Sequence, residues 1–494
     1  MPCQVNVTKS GSKLGITIPQ LTESGNPGRT VIRLTVANRS AQASFLALVA
    51  PWVTIPTSVC TELNIGHGQT LSILELKPIQ PHTRPSFKTE GEKVDMLSLI
   101  PPTSTNGYQL YVDEYEDNRE QWLRIWYHHP RGAARQIELR RYVDLSKLGQ
   151  VLGLLQAEGD KNSDLVAFKN SSLSEHSDFV SSLRELGIST SISARCTFNP
   201  NKSSDQKADE YSEAYAKATG VTISTIDRMD GMKGTIAAYT YVRSTILAQI
   251  LMFAMDEVRT GHIQNASIRR NFLAKLLSGD GSLGARRTSK RLDVRLTIVD
   301  QNIEALDDYA KILSEEGFKA RVIAHRITVR AYCTWLNLLR LYEIGAFRNG
   351  KNWIKLLCAI MITMQGRENR GYKRIQELSG RDVITSDDIS ATYGIGRRAS
   401  NLWIHTMFRK GLMEILRSTQ GYGRKNYVVS ANGKRIARLI EAIERDYNEM
   451  AAQRGIDDAE TILRQTKTRT GPSRIQESGA KAVIHEYSAL IALN

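Results

Sequence analysis

Two apolar segments of the chain end in the same way, and their spacing constrains the fold more than any other feature. Residues 151–160 read VLGLLQAEGD, and residues 273–283 read LAKLLSGDGSL. Each has small residues at helix-packing spacing and ends in an acid followed by a glycine. The acids, Glu158 and Asp280, are 122 residues apart. This separation favours two copies of one small unit over a chance similarity.

The segments around each apolar run follow the same order. In the first copy we predict a helix over Leu145–Glu158, strands around DLVAFKNS, a helix in SSLSEHSDFVSSLRELG, a hairpin of SISARCTF with GTIAAYTYV, and a closing helix. A polar insertion from Asn199 to about Thr219 interrupts that hairpin. The second copy has helices predicted at 268–279, 302–316 and 334–343, with strands between them. Two αββαββα units in one chain predict a pseudo-two-fold internal dimer.

These two segments resemble the two copies of the LAGLIDADG motif, which names a family of homing endonucleases and related maturases and regulators. The resemblance implies that the motif helices pack at the pseudo-dyad and that the sheets of both halves lie in the DNA major groove. The packing residues it implies are Gly153, Ala157, Ala274 and Gly279. Lys275 stands where the motif has its packing glycine. A lysine side chain there has to point away from the line of contact between the two motif helices, here called the seam, or hold the helices further apart.

The resemblance also implies that Glu158 and Asp280 are catalytic and bind Mg²⁺ at the scissile phosphates. The chemistry agrees, because phosphodiester cleavage needs a metal to activate water and to neutralise charge on the phosphate. Hard Mg²⁺ takes a few carboxylates with waters and other oxygens. Lys319 is the third predicted catalytic residue, as a cation that steadies the phosphate charge. The alternatives stay open: acid and glycine also form an ordinary helix exit, and Lys319 fits a solvated charge.

The net charge predicts a polyanionic partner. The formal charge is +15 and the pI is near 9.5, which favours nucleic acid and here double-stranded DNA. From Lys351 to the end there are 24 Lys and Arg against 15 Asp and Glu. In the second copy, a basic first hairpin supplies predicted DNA contacts at Arg286, Arg287, Lys290, Arg291 and Arg295. The matching segment of the first copy is short and nearly neutral, so we expect a lopsided DNA-binding saddle.

The C-terminal part resembles a winged helix-turn-helix domain. Thr385 or Ser386 is predicted to cap a short helix, a glycine-flanked turn follows, and a second helix is predicted over 397–410. A hairpin with a basic tip and another helix come next. The resemblance implies DNA contacts by Arg397, Arg398 and Asn401 at the second helix, and by Arg424 and Lys425 at the wing. A protein-interaction module of the same fold is the alternative.

Near the N-terminus, WVTIPTSVCTELNIGHGQTLSILEL resembles the half-unit of the AbrB/SpoVT swapped-hairpin barrel, with a looser upstream copy in GITIPQ. Members of that family bind DNA as intertwined dimers, which implies self-association through this module. Pro51 and Trp52 replace the basic residue before the strand. A packing or dimerisation module is therefore an equal alternative to direct DNA contact.

The remaining features bound the setting. Five scattered cysteines without a CxxC pair predict a reducing, cytoplasmic location, and the N-terminus lacks the apolar region of a signal peptide. The longest apolar run, Thr245–Met255, is too short to span a bilayer, so we expect no membrane association.

We predict an α+β multidomain protein that is a metal-dependent, site-specific endonuclease of double-stranded DNA. The main alternative is a transcription regulator that keeps the LAGLIDADG fold as a DNA saddle without cutting; an RNA maturase is weaker, because the flanking modules resemble DNA binders. The predicted domains are an AbrB/SpoVT-like β module (1–80), a linker with a small antiparallel β unit (81–142), LAGLIDADG units (143–264 and 265–349), a winged helix-turn-helix (350–447) and a polar helical tail (448–494).

Overall fold

The protein has mixed α and β structure, as predicted, with thirteen α-helices and several sheets in the described residues. Its structure, a computed structural model, describes residues 3–18, 30–38, 41–50, 52–127, 135–160, 164–188, 191–232, 234–287, 292–323, 327–348, 351–365, 370–416 and 425–454. Two compact units are present. The first comprises residues 1–282, 297–330 and 344–350, and the second comprises 283–296, 331–343 and 351–494.

An N-terminal six-stranded sheet pairs the two TIP-containing phrases with each other. Its strands are β1 (Cys3–Ser10), β2 (Lys13–Thr17), β3 (Val31–Ala37), β4 (Gln42–Leu48), β5 (Trp52–Thr54) and β6 (Thr70–Ile79), in the order β4-β3-β6-β1-β2-β5. Strands β2 and β5 are antiparallel neighbours, with Ile16 opposite Val53. Helix α1 (Thr57–Glu62) connects β5 to β6. Ile16 and Val53 are both buried in the core of this sheet.

Residues 81–144 form two small sheets, one of which packs against the N-terminal sheet. They form β7 (Thr89–Glu90), β8 (Lys93–Asp95), a 3-10 helix (Met96–Leu99), β9 (Tyr111–Asp117), β10 (Glu120–Tyr127), β11 (Arg135–Arg140) and β12 (Tyr142–Asp144). Strands β9, β10 and β11 make the predicted antiparallel unit. Trp126 of β10 packs against Val31 and Leu46 of the N-terminal sheet. Arg33 of β3 also pairs at 3.0 Å with Asp113, whose side chain is buried. The antiparallel unit therefore shares a core with the N-terminal sheet.

The first copy of the repeat departs from αββαββα. Its elements are α2 (Leu145–Glu158), β13 (Val166–Asn170), α3 (Leu173–Glu185), β14 (Ile192–Phe198), α4 (Asp205–Thr219), β15 (Ile223–Arg228), β16 (Ile236–Val242) and α5 (Thr245–Arg259). Strands β14 and β16 form the predicted hairpin pairing. The polar insertion is not a simple loop: it supplies α4 and then β15, which lies parallel to β14. A parallel neighbour needs such a crossover helix.

The second copy follows the predicted order. Its elements are α6 (Ala266–Gly279), β17 (Gly281–Arg287), β18 (Leu292–Val299), α7 (Ile303–Glu315), β19 (Lys319–Ile323), β20 (Thr328–Cys333) and α8 (Trp335–Glu343). The strand order is β17-β18-β20-β19, against β13-β16-β14-β15 in the first copy. The boundary between the two compact units passes through β17, β18 and β20.

The C-terminal elements are α9 (Lys351–Gln365), α10 (Arg370–Leu378), α11 (Ser386–Tyr393), α12 (Arg397–Arg409), β21 (Met413–Ile415), β22 (Tyr427–Val429) and α13 (Ala431–Arg454). They appear in the predicted order from α11 onwards, whereas α10 was not predicted. Thr385 and Asp388 form a capping box at the start of α11, and Gly394 ends that helix with a φ of 59°. Strands β21 and β22 are antiparallel. Helix α13 continues past the predicted domain end at 447. In the described part of the chain, no helix is long and apolar enough to cross a membrane.

Candidate functional site

Helices α2 and α6, which carry the two motif copies, are in close contact. A Cβ atom added to Gly153 of α2 would lie 2.8 Å from the Cβ of Lys275 on α6, and closer still to the carbonyl oxygen of Phe272. A Cβ added to Gly279 of α6 would lie 2.5 Å from the Cβ of Ala157 on α2. Side chains at these glycines would overlap the facing helix, so the backbones approach as closely as glycine permits.

The facing positions are equivalent in the two copies. A Cβ added to Gly149 would lie 2.8 Å from the Cβ of Asn271. This contact extends the same seam by one helical turn. The facing pairs are therefore 149 and 271, 153 and 275, and 157 and 279. Each pair is 122 residues apart, and successive pairs are four residues apart along each helix. A two-fold axis between the helices requires this relation, because it brings each residue against its own counterpart.

Each facing pair combines a glycine with a larger residue. Gly153 lies opposite Lys275, and the lysine side chain leaves the seam to form an ion pair with Asp178 of α3. The Lys275 side chain is 12% exposed. The glycine opposite provides the space for the base of the lysine side chain. Ala274, which precedes Lys275, is buried in the core.

The two acids of the repeat leave the helix pair at the same end. Glu158 is the last residue of α2, and Asp280 follows α6 as its C-cap. The Cγ of Glu158 lies 3.3 Å from where a Cβ on Gly279 would be. The Glu158 side chain therefore begins beside the residue that directly precedes Asp280.

The glycines that follow the acids are needed where each helix ends. A Cβ added to Gly159 would lie 2.7 Å from the Cα of Leu155, and one added to Gly281 would lie 2.8 Å from the Cα of Leu277. Gly159 bridges to Phe168 of β13, and Gly281 begins β17. Each acid therefore stands where a motif helix turns towards its sheet.

Glu158 and Asp280 each act electrostatically on a different neighbouring side chain. Desolvation raises the pKa of Glu158 above its ordinary value, although the side chain still reaches solvent. Burial raises the pKa of Glu175 on α3; the Lys275 charge opposes that shift, and the charges of Glu158 and Asp178 add to it. On the other side, burial, then Asp300, and finally Asp280 raise the pKa of Tyr309.

The carboxylates of Glu158 and Asp280 are the donors from which a Mg²⁺ site would be built. Among the described residues there is no group of three or more His, Cys, Asp and Glu side chains that could hold a metal. Glu158 and Asp280 would supply two carboxylates, which are hard oxygen ligands. Mg²⁺ is commonly bound by one or two carboxylates, with waters and substrate phosphates completing its shell.

The solvent face of the first sheet carries cationic and aromatic residues that the sequence did not single out as a group. Lys169, Tyr239 and Arg195 lie opposite one another across β13, β16 and β14. The Arg195 guanidinium lies 4.5 Å from the centre of the Tyr239 ring, and the Tyr239 hydroxyl donates a hydrogen bond of 3.2 Å to Asp160. Next along β16 is Tyr241, with its ring centre 5.4 Å from that of Tyr239. The alternation in AAYTYV was the available signal.

The predicted basic residues of the second sheet lie on its strands or beyond the described residues. The Arg295 guanidinium lies 5.2 Å from the centre of the Tyr332 ring. Lys319 is exposed at the start of β19, the edge strand of its sheet. Four further residues fall partly or wholly outside the description: the backbones of Arg286 and Arg287 belong to β17 while their side chains are not described, and Lys290 and Arg291 lie outside the described residues.

The predicted C-terminal contact residues are on the surface. Arg397, Arg398 and Asn401 are exposed on the first two turns of α12, and Arg397 pairs with Asp387 at 3.5 Å. Lys425 is exposed before β22. Arg424 lies outside the described residues.

Comparison with known proteins gives a distant structural likeness. No protein-family model matches the chain, and no curated protein matches it. Among solved structures, a mutant of I-SmaMI, a LAGLIDADG homing endonuclease, is similar with 11% sequence identity and a TM-score of 0.25. The match covers 47% of this chain and 96% of that chain. An identity and a TM-score this low do not assign the chain to that family.

Proposed function

We propose that this protein is a metal-dependent, site-specific endonuclease of double-stranded DNA. One observation carries the proposal: two helices meet through positions 122 residues apart, and each ends at an acid, Glu158 within α2 and Asp280 directly after α6. Two carboxylates beside a symmetry axis suit a cut in each strand of a duplex, because the two strands are themselves related by two-fold axes.

In this proposal Glu158 and Asp280 hold Mg²⁺. When bound, the ion would activate water and neutralise charge on the scissile phosphate. The raised pKa of Glu158 has a direct consequence, because its carboxyl must be ionised before it can bind a cation. Metal affinity is therefore expected to rise with pH through the titration of Glu158.

The remaining contacts position the DNA. Lys169 and Arg195 in the first sheet, and Lys319 and Arg295 in the second, offer cations to phosphates or to base edges. In the C-terminal part, α12 would enter a major groove, with Arg398 and Asn401 facing bases. Arg397, Arg424 and Lys425 would then contact the DNA backbone. The exposed basic start of α12 and the turn that precedes it support this role.

The proposal is tested by incubating the full chain with plasmid and genomic DNA in the presence of Mg²⁺. Discrete double-strand cuts are expected, and both Glu158→Gln and Asp280→Asn should abolish them. Glu213→Gln is the matched control, since Glu213 is an exposed acid on α4, away from the seam. Salt-sensitive DNA binding without cutting, in Mg²⁺ and Mn²⁺ alike, would contradict the nuclease and leave the regulator. Cutting that survives both acid substitutions would contradict the assigned site.

A further inference from the structure

The outward face of α12 contains an exposed leucine between cationic and polar residues. Four exposed residues follow one stripe of this helix: Arg398, Leu402, His405 and Arg409. Their spacing of four, three and four residues places them on one side of the helix. The opposite side is anchored in the core by buried Ser400, Ile404 and Met407.

Leu402 is unusually exposed for a large apolar side chain. It is 69% exposed, whereas the next such residues in the described part of the chain, Val299 and Ile303, reach 53%. Its neighbours along the stripe, one turn away on each side, are Arg398 and His405. A purely apolar partner surface would have to desolvate these polar groups without pairing them, which is costly. The partner should therefore offer a small apolar group surrounded by negative charge.

Duplex DNA has this combination in its major groove. The C5-methyl group of thymine is the apolar group exposed there, and phosphates border the groove on both sides. We infer that Leu402 contacts a thymine methyl group and makes α12 selective for thymine at one position of the binding site. This inference rests on the proposed DNA binding by α12. The arginines at positions 398 and 409 would lie towards the phosphates or neighbouring bases.

The size of the effect follows from the group involved. Removing one methyl group from an apolar contact weakens binding by about three- to fivefold. Deoxyuridine lacks this methyl group but keeps the hydrogen-bonding edge of thymine. Replacing the contacted thymine by deoxyuridine should therefore weaken binding by the full chain about three- to fivefold. The same replacement should have almost no effect on Leu402→Ala, because the contact is already lost.

The experiment starts from a pool of random DNA duplexes, with EDTA present so that bound DNA stays intact. Duplexes enriched by the wild-type chain are sequenced, and each enriched thymine is replaced in turn by deoxyuridine. Dissociation constants are then compared for wild type, Leu402→Ala and Leu402→Met, the last of which keeps an apolar side chain and should keep the thymine effect. Leu336→Ala is the matched control, an exposed leucine of α8 that should also keep the effect. Circular dichroism melts check that all variants are folded.

The outcomes separate this inference from the function on which it rests. If no duplex is enriched, DNA binding itself is wrong and the inference falls with it. If duplexes are enriched but no deoxyuridine replacement matters, or if one matters equally in wild type and Leu402→Ala, the thymine contact is wrong while DNA binding stands. If deoxyuridine replacement lowers the affinity only for proteins that have Leu or Met at position 402, the thymine contact is supported.

Discussion

The two copies of the repeat agree at their helices and differ at the outer edges of their sheets. Three strands have the same order in both: β13-β16-β14 in the first copy and β18-β20-β19 in the second. The second copy has β17 beside β18, where the described residues of the first copy have only the bridge of Gly159 to Phe168. The first copy adds β15 at the opposite edge, parallel to β14 and reached through α4.

The difference shows that the contact between the two helices must be symmetric, whereas the edge strands of the two sheets can differ. Facing residues in the seam are counterparts of each other, so a bulky residue on one helix needs a glycine on the other. An edge strand faces no counterpart across the axis and can therefore be added on either side. Helix α4 is accommodated because it buries Ala208, Tyr215 and Thr219 and leaves most of its other residues exposed.

The largest expected effect concerns the acids, which the seam makes equivalent. Glu158→Gln and Asp280→Asn should each lower the cleavage rate by about a hundredfold or more, since each removes a proposed metal ligand. Single-turnover cleavage in saturating Mg²⁺ measures this. If one substitution is silent and the other abolishes cutting, the copies share a fold but not the chemistry.

A second effect distinguishes the copies by pH. In the first copy, burial lowers the pKa of His176 to about 4, although its Nε2 lies 2.9 Å from the Asn170 carbonyl and its Nδ1 lies 2.8 Å from the Thr240 hydroxyl. Between pH 6.5 and 4 the unfolded state then binds more protons than the folded state. The stability that the folded state gains by keeping His176 neutral is therefore fully present above pH 6.5, and it is lost as the pH falls from 6.5 towards 4.

The expected loss between pH 7 and pH 5 is about 2 kcal/mol in the free energy of unfolding. Denaturant unfolding of wild type and His176→Gln at pH 7 and pH 5 measures it. The variant should lose less stability on acidification than wild type. His262→Gln, at an exposed histidine, should behave like wild type. Parallel pH dependences in wild type and His176→Gln would contradict the assignment.

Seam substitutions come next in size. Gly153→Ala should lower the free energy of unfolding by about 2 kcal/mol, because the added methyl group overlaps a backbone carbonyl that cannot move aside cheaply. Gly279→Ala should act similarly from the other helix. Gly66→Ala serves as the control, as a Cβ there meets no atom within 4 Å. Equal losses in the free energy of unfolding from Gly66→Ala and Gly153→Ala would show that the helix contact at Gly153 has room for an added methyl group.

The smallest expected effect tests the ion pair that breaks the seam's symmetry. Asp178→Asn leaves the Lys275 ammonium largely buried without its partner, and should cost about 1 kcal/mol after allowance for the exposure of Asp178. Lys275→Met should cost less, because it also removes the charge. Chemical denaturation of both variants and of the double variant gives the coupling. A greater loss from Lys275→Met would contradict this order.

Much of the repeat could be predicted from the sequence, because residues next to the helix ends indicate where each helix begins and ends. Asp144 and Asn265 cap α2 and α6 by accepting hydrogen bonds from backbone N–H groups, and an acid and a glycine close each helix. The confirmed boundaries of α2, Leu145–Glu158, depend on these neighbours alone. For Lys275 the sequence predicted only that the side chain leaves the helix contact or widens it. It did not identify Asp178, which accepts a hydrogen bond from the Lys275 ammonium, because Asp178 lies 97 residues away.

The structure of the insertion and the residues on the solvent face of the first sheet could not be predicted from the sequence. Both depend on pairing between strands that are far apart along the chain. Helix α4 is polar enough to resemble a loop, and nothing local to β15 indicates that it lies parallel to β14. Tyr239 meets Arg195 only in the observed register of β16 against β14, and a shift by one residue would turn Tyr239 towards the helices.

The N-terminal sheet has a consequence for how this protein responds to dilution. Strands β2 and β5, each of which ends at the threonine of a TIP phrase, pair with each other inside one chain, with Ile16 opposite Val53. Each strand thus meets its partner at an effective concentration set by the connecting chain rather than by the amount of protein. Formation of this pair is a first-order process, and its melting temperature should not change across a wide dilution series.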